Sequence, residues 1–464
     1  MHQTVKFDAA VLRRYDVNGP RYTSYPTAVQ FSPSFGEQAY RAAVHDSNDD
    51  PIPRSLSLYV HIPFCTSPCF YCACTRIITR DPLKASLYLD RLYREIEMHA
   101  ALFDRDRRVE QLHLGGGTPT FLSMPQMTEL MQRLESAFRF TDRDDREFSI
   151  EIDPRTVDAD KIKQLAALGF NRISLGVQDF DARVQEAINR VQSVDETLAV
   201  IDAARINNIG SINLDLIYGL PCQTLEGFAR TLDIAIQSRP ERLAVYSYAH
   251  LPEVFKAQRQ LDAAALPDAE TKLALLEISI EKLTGAGYVY IGMDHFALPD
   301  DELVIAQRNG SLQRNFQGYS TRAECDMIGM GMSSIGKVGD SYNQNAKDIR
   351  DYCAIIDDGR LPVVRGVGLS LDDQLRRDVI QRVMCQGEVV FAEIEQRWDV
   401  DFADHFHAAR PRLDRLARDG LIEIDAKRLI VTPKGRLLLR VVAMSFDAYA
   451  MRVADARMRF SRVI

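Results

Sequence analysis

From residue 56 onward, short apolar runs alternate with longer stretches in which apolar side chains recur at helical spacing. The short runs lie at 56–62, 109–114, 148–152, 172–175, 212–217, 243–247 and 288–291, and they have the length of strands. The segments between them begin and end like helices. Ser123 stands ahead of Pro125, Met127, Leu130, Met131, Leu134 and Phe138 as a capping residue before a helical apolar face. Asp158 precedes Ile162, Leu165 and Leu168, and Gly169 closes that stretch. Asp81 and Pro82 open another, which runs through Leu92 and Ile96.

Such alternation predicts an α/β fold of βα units on a parallel sheet. Six or more units in a row favour a barrel, closed or partial, over an open sheet. The apolar runs stop at polar or glycine residues: Cys65, the glycines from Gly115, Glu151, Gln178, Asp215, and Ala249 with His250. In a parallel barrel the carboxyl ends of the strands share one face, which carries the chemistry. These residues are therefore expected to converge.

Residues 1–54 read as polar and irregular, with an aromatic-rich loop at 21–26. From 371 the pattern turns helical, with amphipathic stretches at 371–385, 391–406 and 413–420. A hairpin follows, 421–424 and 428–431 about Asp425-Ala426-Lys427, and then a helix at 432–440. The expected division is 1–54 as an extension, 55–370 as the barrel with its extension, and 371–464 as a mostly helical, winged-helix-like domain. A DNA-reading role would need a basic recognition helix, yet 405–416 mixes Arg410, Arg412 and Arg415 with Asp414. A structural or lid role fits better.

The 464 residues carry a formal net charge of −8, which disfavours general nucleic-acid binding. From Lys434 to the end, seven Lys and Arg face only Asp447 and Asp455, a solvated face or an attractor for an acidic ligand. No window approaches about 18 consecutive apolar residues, and the first twenty hold no apolar block. The expectation is a cytoplasmic chain without a membrane span.

Four of the eight cysteines, Cys65, Cys69, Cys72 and Cys74, fall within ten residues. A C-x3-C-x2-C arrangement arises by chance roughly 0.002 times in such a chain. Structural zinc commonly takes two separated pairs of ligands, whereas these all lie on one loop. Cys72 and Cys74 crowd each other, so the fourth thiol adds little. Three thiolates at spacings four and three suit three irons of a cubane, with the fourth iron open. The glycines at 115–117 lack the Gly-Lys-Ser/Thr of a phosphate loop. Gly329-Met330-Gly331 lacks the third glycine and the position of a dinucleotide fingerprint, and His61 reads as a packed core histidine.

The cysteine motif at the end of a first barrel strand resembles the radical S-adenosylmethionine (SAM) superfamily. The likeness sharpens to the oxygen-independent coproporphyrinogen III oxidase family. It rests on RYTSYPTA at 21–28, residues 59–74, GGGTPT at 115–120, GVQDF at 176–180, DLIYGLP at 215–221, YAHLP at 248–252, IGMDHFA at 291–297, RNFQGY at 314–319 and FSRVI at 460–464. Tyr71 and Ala73 stand where the family commonly has Phe and Gly.

The resemblance implies a partial parallel (β/α) barrel holding a [4Fe-4S] cluster on Cys65, Cys69 and Cys72. It also implies two molecules of SAM. The first would meet Tyr59, Gly116, Glu151 and Ile335; the second Tyr71, Gly117, Thr118, Gln178, Arg190, Asp215 and Ala249. Glu151 and Cys74 would serve catalysis. Without the resemblance, Glu151 and Asp215 could equally be ion-pair partners and Arg190 a helix-surface residue. The implied reaction converts two propionates of coproporphyrinogen III to vinyl groups in haem biosynthesis. A low-potential donor such as a flavodoxin or ferredoxin would supply electrons to a monomer, with no nucleic-acid or membrane partner. The alternatives are a related haem chaperone of the same fold and, from another class, a zinc-bearing winged-helix regulator.

Overall fold

The computed structural model describes residues 5–450 apart from 144 and 323, together with Arg462. The basic residues Arg452, Arg457 and Arg459, and the FSRVI segment except Arg462, lie outside the described residues. Among these residues the core is one 13-stranded sheet. Six parallel strands follow one another in chain order: β1 Leu56–Ile62, β2 Arg108–Gly116, β3 Glu147–Ile152, β4 Arg172–Gln178, β5 Ser211–Tyr218 and β6 Arg242–Ser247. Helices Pro82–Ala100, Met124–Ala137, Ala159–Ala167, Val194–Ile206, Leu225–Gln237 and Ala269–Gly285 follow them in turn. Ser123 forms a capping box with Gln126, Asp81 and Asp158 cap as their spacing predicts, and Gly169 adopts φ +93° after its helix.

Alternation along these strands sorts the side chains onto two faces. Leu58, Val60, Phe148, Ile150, Ile212 and Leu214 are buried in the core shared with the helices. The intervening Tyr59, His61, His113, Glu147, Ser149, Glu151, Ser174, Asn213 and Asp215 line an internal cavity of about 390 Å³. The barrel therefore has a polar lumen.

The sheet is a partial barrel whose two edges depart from the βα pattern. On one side β1 pairs in parallel with Asp326–Met330, and the strands Ile335–Val338, Ser341–Asn345 and Val363–Gly368 continue antiparallel. On the other side the seventh expected strand, Val289–Gly292, is half of a hairpin with His295–Ala297, which pairs antiparallel to β6. It is an edge element, since only a two-residue turn separates it from its partner.

The amino-terminal region is more regular than its polar composition suggests, with helices Ala9–Tyr15 and Glu37–Asn48. Val11, Leu12, Tyr15, Tyr22 and Tyr25 join one core with residues of the carboxyl-terminal region from Leu375 to Phe446. That region contains helix Leu371–Cys385 and a three-stranded sheet in which Arg428–Val431 pairs with both Ile422–Ile424 and Glu388–Val390. The expected helix at 391–406 is broken: Phe391–Trp398 ends at Asp399, with φ 53° in the left-handed region, and Phe402–His405 follows. The stretch 432–440 holds a 3-10 turn, Gly435–Leu438, leading into Leu439–Ala443.

Candidate active site

The cysteine loop leaves the carboxyl end of β1. Phe64–Cys65 pairs with Ile77–Ile78, so the loop closes on itself. Arg76 organises its interior: the guanidinium donates to the carbonyls of Cys69 at 3.0 Å, Cys72 at 3.1 Å and Cys74 at 3.4 Å. The Phe70 N–H bonds Ile188 O, and Asn189 Nδ2 bonds Pro68 O, anchoring the loop to the chain after β4. Nothing in the spacing of the cysteines singles out Arg76.

All four thiols are free. Cys65 and Cys69 are buried, Cys72 is half-buried and Cys74 is exposed. Each of the three motif sulfurs has its own polar neighbour. Cys65 Sγ lies 3.3 Å from Thr118 Oγ1, and Cys69 Sγ accepts from Arg190 Nη1 at 3.4 Å with Arg155 Nη2 at 3.8 Å. Cys72 Sγ accepts from the Cys74 N–H at 3.4 Å. Burial pushes the Cys65 thiol up to about 11. The Cys74 contact, helped by Arg76 against burial, draws Cys72 down to about 6. Among the described residues no three His, Cys, Asp or Glu side chains group to hold a single metal ion. Soft thiolates on one compact loop, beside buried guanidinium groups that offset negative charge, fit an iron–sulfur cluster.

The glycines after β2 bring backbone against this loop. Gly117 N–H bonds Ile62 O at 2.8 Å, Thr118 N–H bonds Phe64 O at 2.9 Å, and a Cβ at Gly117 would stand 2.6 Å from Pro63 O. Gly116, at φ +119°, donates its N–H to Glu151 Oε2 at 3.1 Å. His113 Nε2 lies 3.4 Å from Glu151 Oε1, its other ring nitrogen is 2.6 Å from Ser149 Oγ, and Tyr59 stacks on the imidazole at 5.8 Å. Burial opposes the charge on Glu151, but His113 and the Gly116 N–H outweigh it and lower its pKa. Ile335 lines the same cavity. His61 is buried, bonding Tyr59 and the Thr75 carbonyl, as a packed histidine would.

Asp215 accepts from Ser174 Oγ and Asn213 Nδ2, both at 2.9 Å. Burial still pushes its carboxyl up to about 6. Arg190 is buried and has protein partners: Asp153 Oδ2 at 3.0 Å, the Gly176 carbonyl at 2.6 Å and Cys69. It is thus no surface arginine. Gln178 is buried at φ 68°, next to Gly176. Tyr71 and Ala249 meet through Gln258, whose Nε2 donates to both carbonyls at 3.1 and 3.2 Å. Sequence reasoning missed Gln258, and also His113, Ser149, Ser174 and Asn213; the period-two polar positions of β2 to β5 were the signal for the last four.

Residues 59–235 match the radical SAM superfamily, and residues 369–438 match the HemN C-terminal domain. The oxygen-independent coproporphyrinogen III oxidase of Pseudomonas aeruginosa is 51% identical over 464 residues, covering 100% of both chains. The Escherichia coli protein of the same name is 48% identical, covering 100% of this chain and 99% of its own. The solved structure of coproporphyrinogen III oxidase (HemN) from Escherichia coli, described as a radical SAM enzyme, superposes with a TM-score of 0.91. It covers 96% of this chain and 100% of that one.

Proposed function

The chain belongs to the oxygen-independent coproporphyrinogen III oxidase family, and from that premise we propose how its own residues serve the reaction. The protein is a radical SAM oxidoreductase of haem biosynthesis, converting two propionates of coproporphyrinogen III to the vinyl groups of protoporphyrinogen IX. When bound, the [4Fe-4S] cluster and SAM supply a 5′-deoxyadenosyl radical that takes hydrogen from the carbon beta to a propionate carboxylate, ahead of loss of CO2 and one electron.

Cys65, Cys69 and Cys72 hold the cluster, and Cys74 stands outside the ligand set. Arg190 and Arg155 donate to Cys69 Sγ and place two cations beside that ligand position. The first SAM lies against Tyr59, Gly116, Glu151 and Ile335. Glu151, held ionised by His113 and the Gly116 N–H, accepts from the ligand's ammonium or ribose hydroxyls. A second SAM lies against Tyr71, Gly117, Thr118, Gln178, Arg190, Asp215 and Ala249. Gln258 keeps the two carbonyls of Tyr71 and Ala249 in one wall.

The observation that carries this reading is the 3.1 Å bond from Gly116 to Glu151, which ties the glycine turn packed against the cysteine loop to an acid that lines the cavity. The exposed edge of the loop at Cys74 suits delivery of electrons from a flavodoxin or ferredoxin. No described helix is long and apolar enough to cross a membrane, and a cytoplasmic monomer is the form we assign. Anaerobic reconstitution with iron, sulfide, SAM and coproporphyrinogen III tests the function. Protoporphyrinogen IX is the expected product; haem binding without vinyl formation would favour the chaperone.

A further inference from the structure

A second cavity of about 540 Å³ lies between the barrel and the carboxyl-terminal region, separated from the lumen by Phe316 and Met327, which line both. Ser57 and Arg54, at the start of β1, place it towards the amino-terminal face of the barrel, opposite the cysteine loop. Helix Leu371–Cys385 turns polar residues towards it, with Gln374, Arg377, Asp378, Gln381 and Arg382 at helical spacing. An inward polar face needs an occupant or an internal network.

The internal network is incomplete. Arg314 lines the cavity at 6% exposure; its Nε bonds the Arg21 carbonyl, yet its Nη1 has no hydrogen-bond partner. Arg377 Nη1 is likewise buried without one, and its other terminal nitrogen reaches only Asp340, at 3.5 Å. Lys337 and Arg54 line the same wall. Glu324 and Asp326 act on Lys337, and the other surrounding acids are engaged by further groups. Asp378 takes Arg382, Arg397 and the Trp398 indole, Glu393 takes Arg382, Glu388 takes Arg428, and Glu324 accepts from Gln313. Asp340 is about half exposed. Burial, with repulsion from Arg377 and Arg54, brings the Lys337 ammonium down to about 8, as expected of a cation in an electropositive chamber. Arg314 Nη1 and Arg377 Nη1 are buried donors of one charge sign without acceptors, which is costly unless an anion completes them.

We propose that this cavity is an oxyanion-binding site for a ligand bearing two or more carboxylate or phosphate groups, held by Arg314, Lys337 and Arg377. The oxyanions come either from a free small polyanion or from propionates of the tetracarboxylate substrate, and the second source rests on the function assigned above. Calorimetric titration of the reconstituted, SAM-bound protein with pyrophosphate, citrate and coproporphyrin III tests the site, alongside Lys337→Met and Arg377→Gln. One of the three probes should bind saturably, and each substitution should weaken it about tenfold or more. Reduced affinity for coproporphyrin III assigns the site to substrate propionates. Weakened citrate or pyrophosphate binding with coproporphyrin III unchanged assigns it to a free polyanion. In the anion-free protein Arg377→Gln should melt no lower than the parent, because it removes a cation whose buried Nη1 has no partner. A lower anion-free melting temperature in Arg377→Gln, or binding indifferent to both substitutions, overturns the proposal. Product formation by the unsubstituted protein tests the assigned reaction separately, so the two can fail independently.

Discussion

Cys74 differs from its neighbours in what surrounds it: it is exposed, and it acts on Cys72 through both its thiol and its backbone N–H. Cys65→Ala, Cys69→Ala and Cys72→Ala should each abolish iron binding after anaerobic reconstitution, while Cys74→Ala retains it and loses turnover. Iron content and the visible spectrum read this directly; a Cys74→Ala protein without iron would mean that the ligand set is wrong. Asp215 allows a cleaner probe of the proposed second SAM than Arg190 does, because Arg190 also bonds Cys69 and Asp153. Asp215→Ala should lower the SAM stoichiometry at equilibrium from two towards one with the iron unchanged. Its titration has a definite sign. Burial raises Asp215 to about 6, against about 3.9 in an unfolded chain, so folding is favoured by its proton below about pH 4 and that contribution is lost as pH rises through about 6. Asp215→Asn should therefore flatten the dependence of urea stability between about pH 4 and pH 6. An unchanged slope would show that Asp215 titrates as an ordinary carboxylate.

At the scale of elements, helix Pro82–Ala100 carries a buried hub that fixes the turn leading into Ser333, Ser334 and Ile335, which line the same cavity as Glu151. Glu95 is fully buried and accepts from Gly331 N–H at 2.7 Å, Asn345 Nδ2 at 2.6 Å and Tyr352 OH at 2.5 Å. Two turns earlier, Tyr88 OH donates to the His61 carbonyl and accepts from the Met332 N–H, tying β1 to the turn that leads into Ile335. Gly331 is at φ +90°, and a Cβ there would stand 2.4 Å from Tyr88 OH. Truncating Glu95 strands three buried donors, a loss of roughly 3–5 kcal/mol. Glu95→Ala should show that fall in chemical denaturation, with weaker binding of the first SAM; Glu95→Gln, which keeps acceptor capacity at one oxygen, should fall less. The six βα units were legible because their apolar runs and caps are local signals. Ser341–Asn345 was not: its sequence SYNQN is polar, yet every residue is buried, because partner strands and hubs such as Glu95 satisfy it. Arg76, Glu95 and Gln258 were unreadable for the same reason. Each is a lone polar residue whose partners are brought to it only by tertiary folding.

At the scale of the molecule, the amino-terminal segment bridges the two edges that the partial barrel leaves apart. Ser32 exchanges backbone bonds with Gly366 on one edge strand, and Arg21 pairs with Asp294 beside the hairpin on the other. Between them, Tyr22 OH donates to Asp447, Tyr25 OH accepts from the Ala448 N–H, and Arg440 donates to the Gly19 and Pro20 carbonyls. Tyr22 and Tyr25, each 1% exposed, belong to the core of the carboxyl-terminal region, while the barrel has a separate core of its own. Deletion of residues 1–30 should therefore leave iron binding intact but add a low-temperature melting transition as that second core opens, so loss of turnover in the deletion would not by itself place the loop at the substrate. Arg21→Met separates the two roles. Arg21 stands over the ring of Tyr246, a lumen residue, at 5.8 Å, and its neighbourhood already holds Arg314 and Arg440. Arg21→Met loses the Asp294 pair but relieves repulsion among these crowded cations, so the fold should be spared, whereas a tetracarboxylate substrate would lose a charge-assisted contact of about 1.5–3 kcal/mol. The KM for coproporphyrinogen III should then rise about tenfold or more, with SAM binding and melting temperature close to the parent. If KM is unchanged while the melting temperature falls, Arg21 is a strut between barrel and carboxyl-terminal region and has no part in holding substrate.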